Sequence, residues 1–227
     1  MLLSRRRMLA RTSLWGSLAL VLLGACRGAR PSPQAKGEEA TVVPGRVPPG
    51  QRVVQRLPVL DLGVRPAVPL EKWQLEVGGR VRNPLVLSWE DFRELPHVRR
   101  TWDFHCVTGW SKLDVLWGGV LMREIIDLVG PKEGTVAVIF ECRDGYSTNV
   151  LYEELLEREA LLADELEGEP LPLEHGGPVR AVIPYLYAWK SAKFLQRIRF
   201  EPVDEPGYWE VRGYHNHADP WKEERFG

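Results

Sequence analysis

A chain of 227 residues, 44% hydrophobic and 27% charged, is long enough for one sizeable core and too apolar for a disordered polymer. Its net charge of −1 at pH 7 supplies no basic field, so nucleic acid is not an expected partner. No phosphate-binding GxGxxG or GxxxxGK[ST] loop is present, which sets aside the nucleotide-binding folds that depend on one.

The N-terminus reads as an export signal. Ser4-Arg5-Arg6-Arg7-Met8-Leu9 has twin-arginine character, and the apolar stretch from Leu14 to Ala25 is shorter than the ~20 residues of a membrane span. Leu23-Gly24-Ala25-Cys26 resembles a lipobox, in which Cys26 would carry the lipid. An uncleaved anchor helix is the alternative, and either reading places the domain outside the cytoplasm, on the periplasmic side of the envelope. Residues 1–25 are thus assigned to the signal, and the Pro- and Gly-rich residues 26–56 to a flexible stalk. Twin-arginine export moves folded proteins, which suits a protein that receives its cofactor before export.

Trp73–Val77 alternates as a half-buried strand does, with Gly78-Gly79 as a break and Leu85–Leu87 as the next strand. Ser88 is placed to cap a short helix over Trp89–Leu95 that Pro96 stops. Leu121, Met122, Ile125, Ile126 and Val129 share one helical face, closed by Gly130-Pro131. Val136–Glu141 and Tyr146–Leu151 flank Asp144-Gly145 as a hairpin, and Glu153–Leu156 is a short helix. Ala160–Glu167 fits helix or strand, while Val179–Ile183 and Phe194–Phe200 are β-branched or aromatic runs that predict strands. The architecture expected is α+β, with mixed β-sheets and short helices and no regular β–α–β beat.

The chemistry centres on "TWDFHCVTGW", residues 101–110. With Cys26 assigned to lipidation, Cys106 and Cys142 remain. In an exported protein they could form a disulfide, or either could be an inert buried thiol. No thiol-protease signature accompanies Cys106, and zinc would need three or four close ligands; His215, His217 and Asp219 fall within five residues but on a loop. A single thiolate suits a metal whose other ligands come from elsewhere, for instance from an organic cofactor with its own phosphate. Glu174–Lys193 offers contacts for such a group: Gly176-Gly177 for close backbone approach, Arg180 as a planar donor fork, and Lys190–Lys193 as a basic turn. A solvated basic turn explains the last equally well.

Taken together, "DFHCVTGWS", "EHGGPVR", "YAWKSAKFL" and "GYWEVRGYHNHADPW" resemble the sulfite oxidase-like molybdopterin-binding domain family, in its small bacterial members without haem or dimerisation domain. The resemblance runs from about Pro58 to the C-terminus and implies one oxidoreductase domain over 57–227. It implies Mo-molybdopterin, with molybdenum held by one pyranopterin dithiolene and by Cys106. It also implies that Cys142, His175 and Arg180 contact the cofactor, and that Ser191, Ala192 and Lys193 grip its phosphate. Asp144, Tyr146 and His215 are candidate pocket residues, and His105 is expected in the core or behind the site, because alternate side chains of a strand face opposite ways.

Two departures from the pattern bear on the substrate. The Asn-rich segment of the methionine sulfoxide reductase branch has no counterpart around Leu57–Val68, and Arg99, Arg100, Arg123 and Arg143 do not match the sulfite-binding arginines of larger members. The expected reaction is two-electron oxygen-atom transfer on a small sulfur oxyanion such as sulfite. The alternatives are an S-oxide or N-oxide reductase with the same cofactor, and a non-catalytic lipid-anchored module. With no CxxCH and no cysteine cluster in the chain, electrons would pass to or from an external carrier, a cytochrome or a membrane quinol system, and a small oxo donor or acceptor would be the other partner.

Overall fold

The computed structural model describes residues 45–227. Short strand β1 (Arg52–Val53) comes first, followed by β2 (Gln74–Gly79) and β3 (Leu85–Ser88). Helix α1 (Trp89–Glu94) leads into the long strands β4 (His97–Cys106) and β5 (Trp110–Leu121), then α2 (Met122–Val129). The second half runs through β6 (Ala137–Cys142), β7 (Ser147–Leu151), α3 (Tyr152–Glu157), β8 (Leu161–Leu166), β9 (Glu169–Pro170), β10 (Arg180–Val182) and β11 (Leu195–Glu201).

These strands form two mixed sheets, the α+β arrangement the sequence predicts. One has the order β3-β2-β11-β6-β7, with β2 and β11 parallel and its other pairs antiparallel. The other is built on β5, which pairs with β4 along its length, with β8 over Trp117–Leu121 and with β1 at Trp110 and Ser111. β8 continues to β10 and β9.

Local chemistry sets the element ends. Ser88 Oγ accepts the Asp91 N–H at 3.1 Å while Asp91 Oδ2 accepts the Ser88 N–H at 2.9 Å, so a reciprocal capping box starts α1. Helix α2 buries Met122, Ile125, Ile126 and Val129 and ends at Gly130. The Asp144 carboxylate accepts the Tyr146 N–H at 3.1 Å and shapes the β6–β7 turn. The Gly78-Gly79 pair does not break its strand: β2 runs through both, and a Cβ on Gly79 would lie 2.4 Å from the Phe200 carbonyl of the adjacent strand. The ambiguous Ala160–Glu167 is strand β8. Leu161–Asp164 are buried in succession between β5 and β10, so the alternation that marks a half-exposed strand is missing.

The stalk expected over 26–56 is corrected at its C-terminal end. Arg52 donates to the Gly109 carbonyl at 3.0 Å and Val54 to that of Ser111 at 2.9 Å, which makes β1 an edge strand of the β5 sheet. Arg46 donates to the Asp103 carboxylate at 2.9 and 2.5 Å and to Asp114 at 2.6 Å. The domain therefore includes residues well before 57. Its Pro and Gly content reads as a linker, but a free stretch of β5 edge takes the segment up. The signal of residues 1–25, Cys26 and the rest of the stalk lie outside the described residues. Among the described residues no helix is long and apolar enough to cross a membrane.

Candidate active-site cleft

A cleft of about 310 Å³ opens where five segments meet: the tip of the β4–β5 hairpin, the β6–β7 turn, residues 175–193, residues 209–214 and the strap 57–62. Cys106, the last residue of β4, lines it and is 5% exposed. Thr108 Oγ1 donates to its Sγ at 3.2 Å. Its carbonyl accepts the Gly109 N–H at 3.0 Å and Gln51 Nε2 at 3.0 Å. Burial pushes the Cys106 thiol up, while Thr108 and the charge of Arg225 pull it down. His105 is on the opposite face of the strand, with Nδ1 2.8 Å from Ser111 Oγ and its ring against Trp221. Cys106 and Cys142 are both free thiols, so no disulfide joins them here.

Arg180 is 3% exposed. It donates to the carbonyls of His175 and Ser191, each at 2.8 Å, and its guanidinium is 5.3 Å from the Trp117 ring centroid and 5.5 Å from that of Phe104. Burial lowers it to about 10. Lys193 Nζ donates to the Glu174 carbonyl at 2.8 Å, and burial together with the Arg180 charge lowers it to about 8. Burial and then the same two cations hold His175 below its ordinary value, in the neutral form near neutral pH. Asp144 is raised, by burial first. Among the described residues neither Arg180 nor Lys193 is in an ion pair. Two partly or fully desolvated cations, with neutral His175 and the Ser191 hydroxyl beside them, make a seat for an anion such as a phosphate. Gly176 keeps this seat tight: its φ is +108°, and a Cβ there would lie 2.9 Å from Lys193 Cβ and Cγ.

Of the residues expected at the site, Cys106, Asp144, Tyr146, His175, Arg180, Ser191 and Lys193 line the cleft. Three expected residues do not. Cys142 ends β6 behind the wall, 6% exposed, where burial drives its thiol well up. Ala192 is in the core, and its carbonyl accepts the Ala181 N–H at 2.8 Å. His215 faces away: its Nδ1 accepts the N–H groups of His217 and Ala218 at 3.2 Å, closing a loop of the C-terminal segment. Its neighbour Tyr214 lines the cleft instead. His217 pairs with Glu154 and Glu224, and the described residues contain no group of three side chains able to hold a metal ion.

The walls went unread in the sequence. Leu57, Leu62, Trp110, Trp189, Trp209 and Tyr214 supply them. The segment "GYWEVRGY" signals two of these by its density of aromatics; the others come from three separate segments. Arg99 and Arg100 bind Glu165 and Glu159 at the surface, Arg123 and Arg143 bind backbone carbonyls, and none of the four lines the cleft.

A family model described as "Oxidoreductase molybdopterin binding domain" matches residues 62–209. The chain is 45% identical over 183 residues to the "Uncharacterized oxidoreductase YuiH" of Bacillus subtilis, covering 80% of this chain and 92% of that protein. It is 31% identical over 169 residues to the "Protein-methionine-sulfoxide reductase catalytic subunit MsrP" of Ralstonia nicotianae, covering 65% of this chain and 51% of that one. It thus spans about half the length of that reductase. Among solved structures, the sulfane dehydrogenase SoxCD from Paracoccus pantotrophus superposes with a TM-score of 0.59 at 18% identity, over 69% of this chain and 46% of that one, a likeness of fold.

Proposed function

The chain belongs to the oxidoreductase molybdopterin binding domain family, and we propose that it reduces an uncharged S- or N-oxide, whose oxygen leaves as water with two protons and two electrons supplied by an external carrier. The observation that carries this reading is the division of the cleft. A buried thiol lies among apolar and aromatic side chains, and the two lining cations Arg180 and Lys193, in no ion pair among the described residues, are gathered on the segment that ends at Lys193. The donor set fits molybdopterin. Cys106 would give the metal its protein ligand, and Arg180, Lys193, Ser191 and the neutral ring of His175 would hold the phosphate and the pterin. When bound, the cofactor supplies the oxygen-atom transfer and the two-electron change.

The chain's own residues do the rest. Thr108 Oγ1 orients the Cys106 sulfur. Trp110, Trp189, Trp209 and Tyr214 keep bulk water from the Cys106 end. Tyr146 spends its hydroxyl proton on the Trp189 carbonyl and so fixes that wall. Asp144 keeps one carboxylate oxygen on the Tyr146 N–H and lines the cleft, where burial raises its affinity for a proton.

Sulfite, the substrate expected from sequence, would need cationic side chains beside the thiol. The lining residues that adjoin Cys106 in sequence are Phe104, Val107, Thr108 and Trp110, and the lining cations are Lys193 and Arg180, the latter 5.5 Å from the Phe104 ring centroid, both of which the cofactor's phosphate would take up. An uncharged oxide suits these walls better. Family membership and the donor set leave the non-catalytic reading without support. We further propose that the N-terminal signal exports the chain, that a lipid on Cys26 tethers it to the envelope, and that an external carrier exchanges its electrons.

The deciding experiment is elemental analysis of the full-length chain from a host that makes the cofactor, beside Cys106→Ser, followed by dye-coupled assays on sulfite and on neutral sulfoxides. About one molybdenum per chain with sulfoxide turnover is the expected result, and Cys106→Ser is expected to fold and lose activity. Sulfite turnover without sulfoxide turnover would overturn the substrate, and a metal-free, well-folded parent would overturn the cofactor.

A further inference from the structure

Two residues outside the family-matched segment 62–209 grip the backbone around Cys106. Gln51 Nε2 donates to the Cys106 carbonyl at 3.0 Å. From the other end of the chain, Arg225 donates Nη1 to the Val107 carbonyl and Nη2 to the Pro49 carbonyl at 3.3 Å. Its guanidinium is 5.2 Å from the Tyr187 ring centroid. The hairpin tip between Cys106 and Trp110 is thereby tied to the segment that enters the domain and to the C-terminal tail. The tail is itself pinned, since Glu224 accepts from the Asp219 N–H at 2.9 Å and lies 2.6 Å from His217 Nδ1.

We propose that Arg225 is a positioning residue for Cys106: it clamps the Val107 carbonyl and sets a fixed positive charge near the sulfur, raising the reduction potential of a metal bound there. The clamp follows from geometry, because one planar guanidinium bridges carbonyls of two segments and a lysine could serve only one well. The charge follows from Coulomb's law, since a nearby cation favours the state with more electrons on the metal and its thiolate. The electrostatic half rests on the proposed function, and the clamp does not.

The test uses the full-length chain from a cofactor-making host as parent, Arg225→Gln, Arg225→Lys and Gln51→Leu. Lys132→Gln, an exposed residue at the far end of the β2–β11 pair, serves as the charge-loss control. Hydrogen exchange of residues 106–109 reads the clamp, and a redox titration followed by the paramagnetic molybdenum signal reads the charge. Arg225→Gln and Gln51→Leu are expected to exchange roughly tenfold faster at the hairpin tip. The midpoint potential is expected to fall in Arg225→Gln and to stay at the parent value in Arg225→Lys, Gln51→Leu and Lys132→Gln. Parent-like exchange in Arg225→Gln would overturn the clamp, and a parent-like potential would overturn the charge effect. If Arg225→Gln fails to fold, faster exchange in Arg225→Lys and Gln51→Leu supports the clamp, and parent-like exchange in both overturns it. A parent without molybdenum would overturn the proposed function and the charge effect together, while the exchange data would still decide the clamp.

Discussion

Lys190 Nζ and Glu210 Oε1 face each other at 2.6 Å with both side chains 1% exposed, directly behind the Trp189 wall of the cleft. The same carboxylate oxygen accepts Trp189 Nε1 at 3.0 Å and Thr148 Oγ1 at 2.9 Å, and Lys190 also donates to Asn149 Oδ1 at 2.8 Å. Burial lowers the lysine, and Glu210 opposes that shift. Removing one member leaves the other charge without its counter-ion in the interior. Glu210→Ala and Lys190→Met should therefore each cost about 3–5 kcal/mol in urea unfolding. The double variant Lys190→Met, Glu210→Gln keeps an acceptor for Trp189 and Thr148 and should be more stable than either single change. Single variants within about 1 kcal/mol of the parent would show that the pair carries little stability.

The phosphate seat predicts an unusual pH dependence in the cofactor-free protein. Lys193 has an ordinary value of 10.5, and the folded chain lowers it to about 8. Below about 8 both states carry the charge, and the fold bears the full cost of burying it. Between about 8 and 10.5 the folded state has released a proton that the unfolded state still holds, so stability rises with pH across this window. Thermal melts from pH 7 to 10 should show the rise in the parent and lose it in Lys193→Met. Inorganic phosphate at pH 7 should raise the melting temperature of the parent more than that of the variant. Equal pH profiles for the two proteins would remove Lys193 from the seat.

Much of the frame was legible because local chemistry decides it. Ser88 and Asp91 announce α1, the spacing of Met122, Ile125, Ile126 and Val129 announces α2, and Asp144-Gly145 announces the β6–β7 turn. The β4–β5 hairpin went unread although it is the longest pairing in the fold. Its strands carry Arg99, Arg100, Asp103 and Asp114, whose charges are met by Glu165, Glu159 and Arg46, and Lys112, which donates to the Leu113 carbonyl, and Gly118-Gly119 interrupts the pattern. That interruption is a close approach: Gly119 has φ +156°, and a Cβ there would lie 2.1 Å from the Leu162 carbonyl. At the site, residues with one specific chemistry were legible: a thiol, a guanidinium and an ammonium. The wall residues were not, because Leu57, Trp110, Trp189 and Trp209 become a wall only once four distant segments converge. His215 was misplaced by a single position of a tight loop.

Gly176 separates the demands of the seat from those of the fold. At φ +108° an alanine is strained, and its methyl would press on Lys193 Cβ and Cγ. Gly176→Ala should cost about 1–3 kcal/mol of stability. It should also lower molybdenum content more than a comparably destabilising change in the distant core, such as Ile126→Val. Equal metal content in two variants matched for stability would mean that Lys193 does not grip the cofactor.

The aromatic wall should discriminate among substrates. If neutral oxides bind beside Cys106, aryl sulfoxides should be turned over with lower KM than dimethyl sulfoxide, since Trp189, Trp209 and Tyr214 offer ring faces rather than charges. Trp209 packs on Tyr214 at 5.0 Å between ring centroids and on Tyr208 at 5.1 Å. Trp209→Ala would remove a face of the wall and leave the seat around Arg180 and Lys193 intact. The expected outcome is a KM for aryl sulfoxides raised roughly tenfold, with kcat nearly unchanged and molybdenum content equal to the parent's. A matching fall in kcat with unchanged KM would place Trp209 in the chemical step. No change in either would take it out of the substrate path and leave Trp110 and Trp189 as the wall to test.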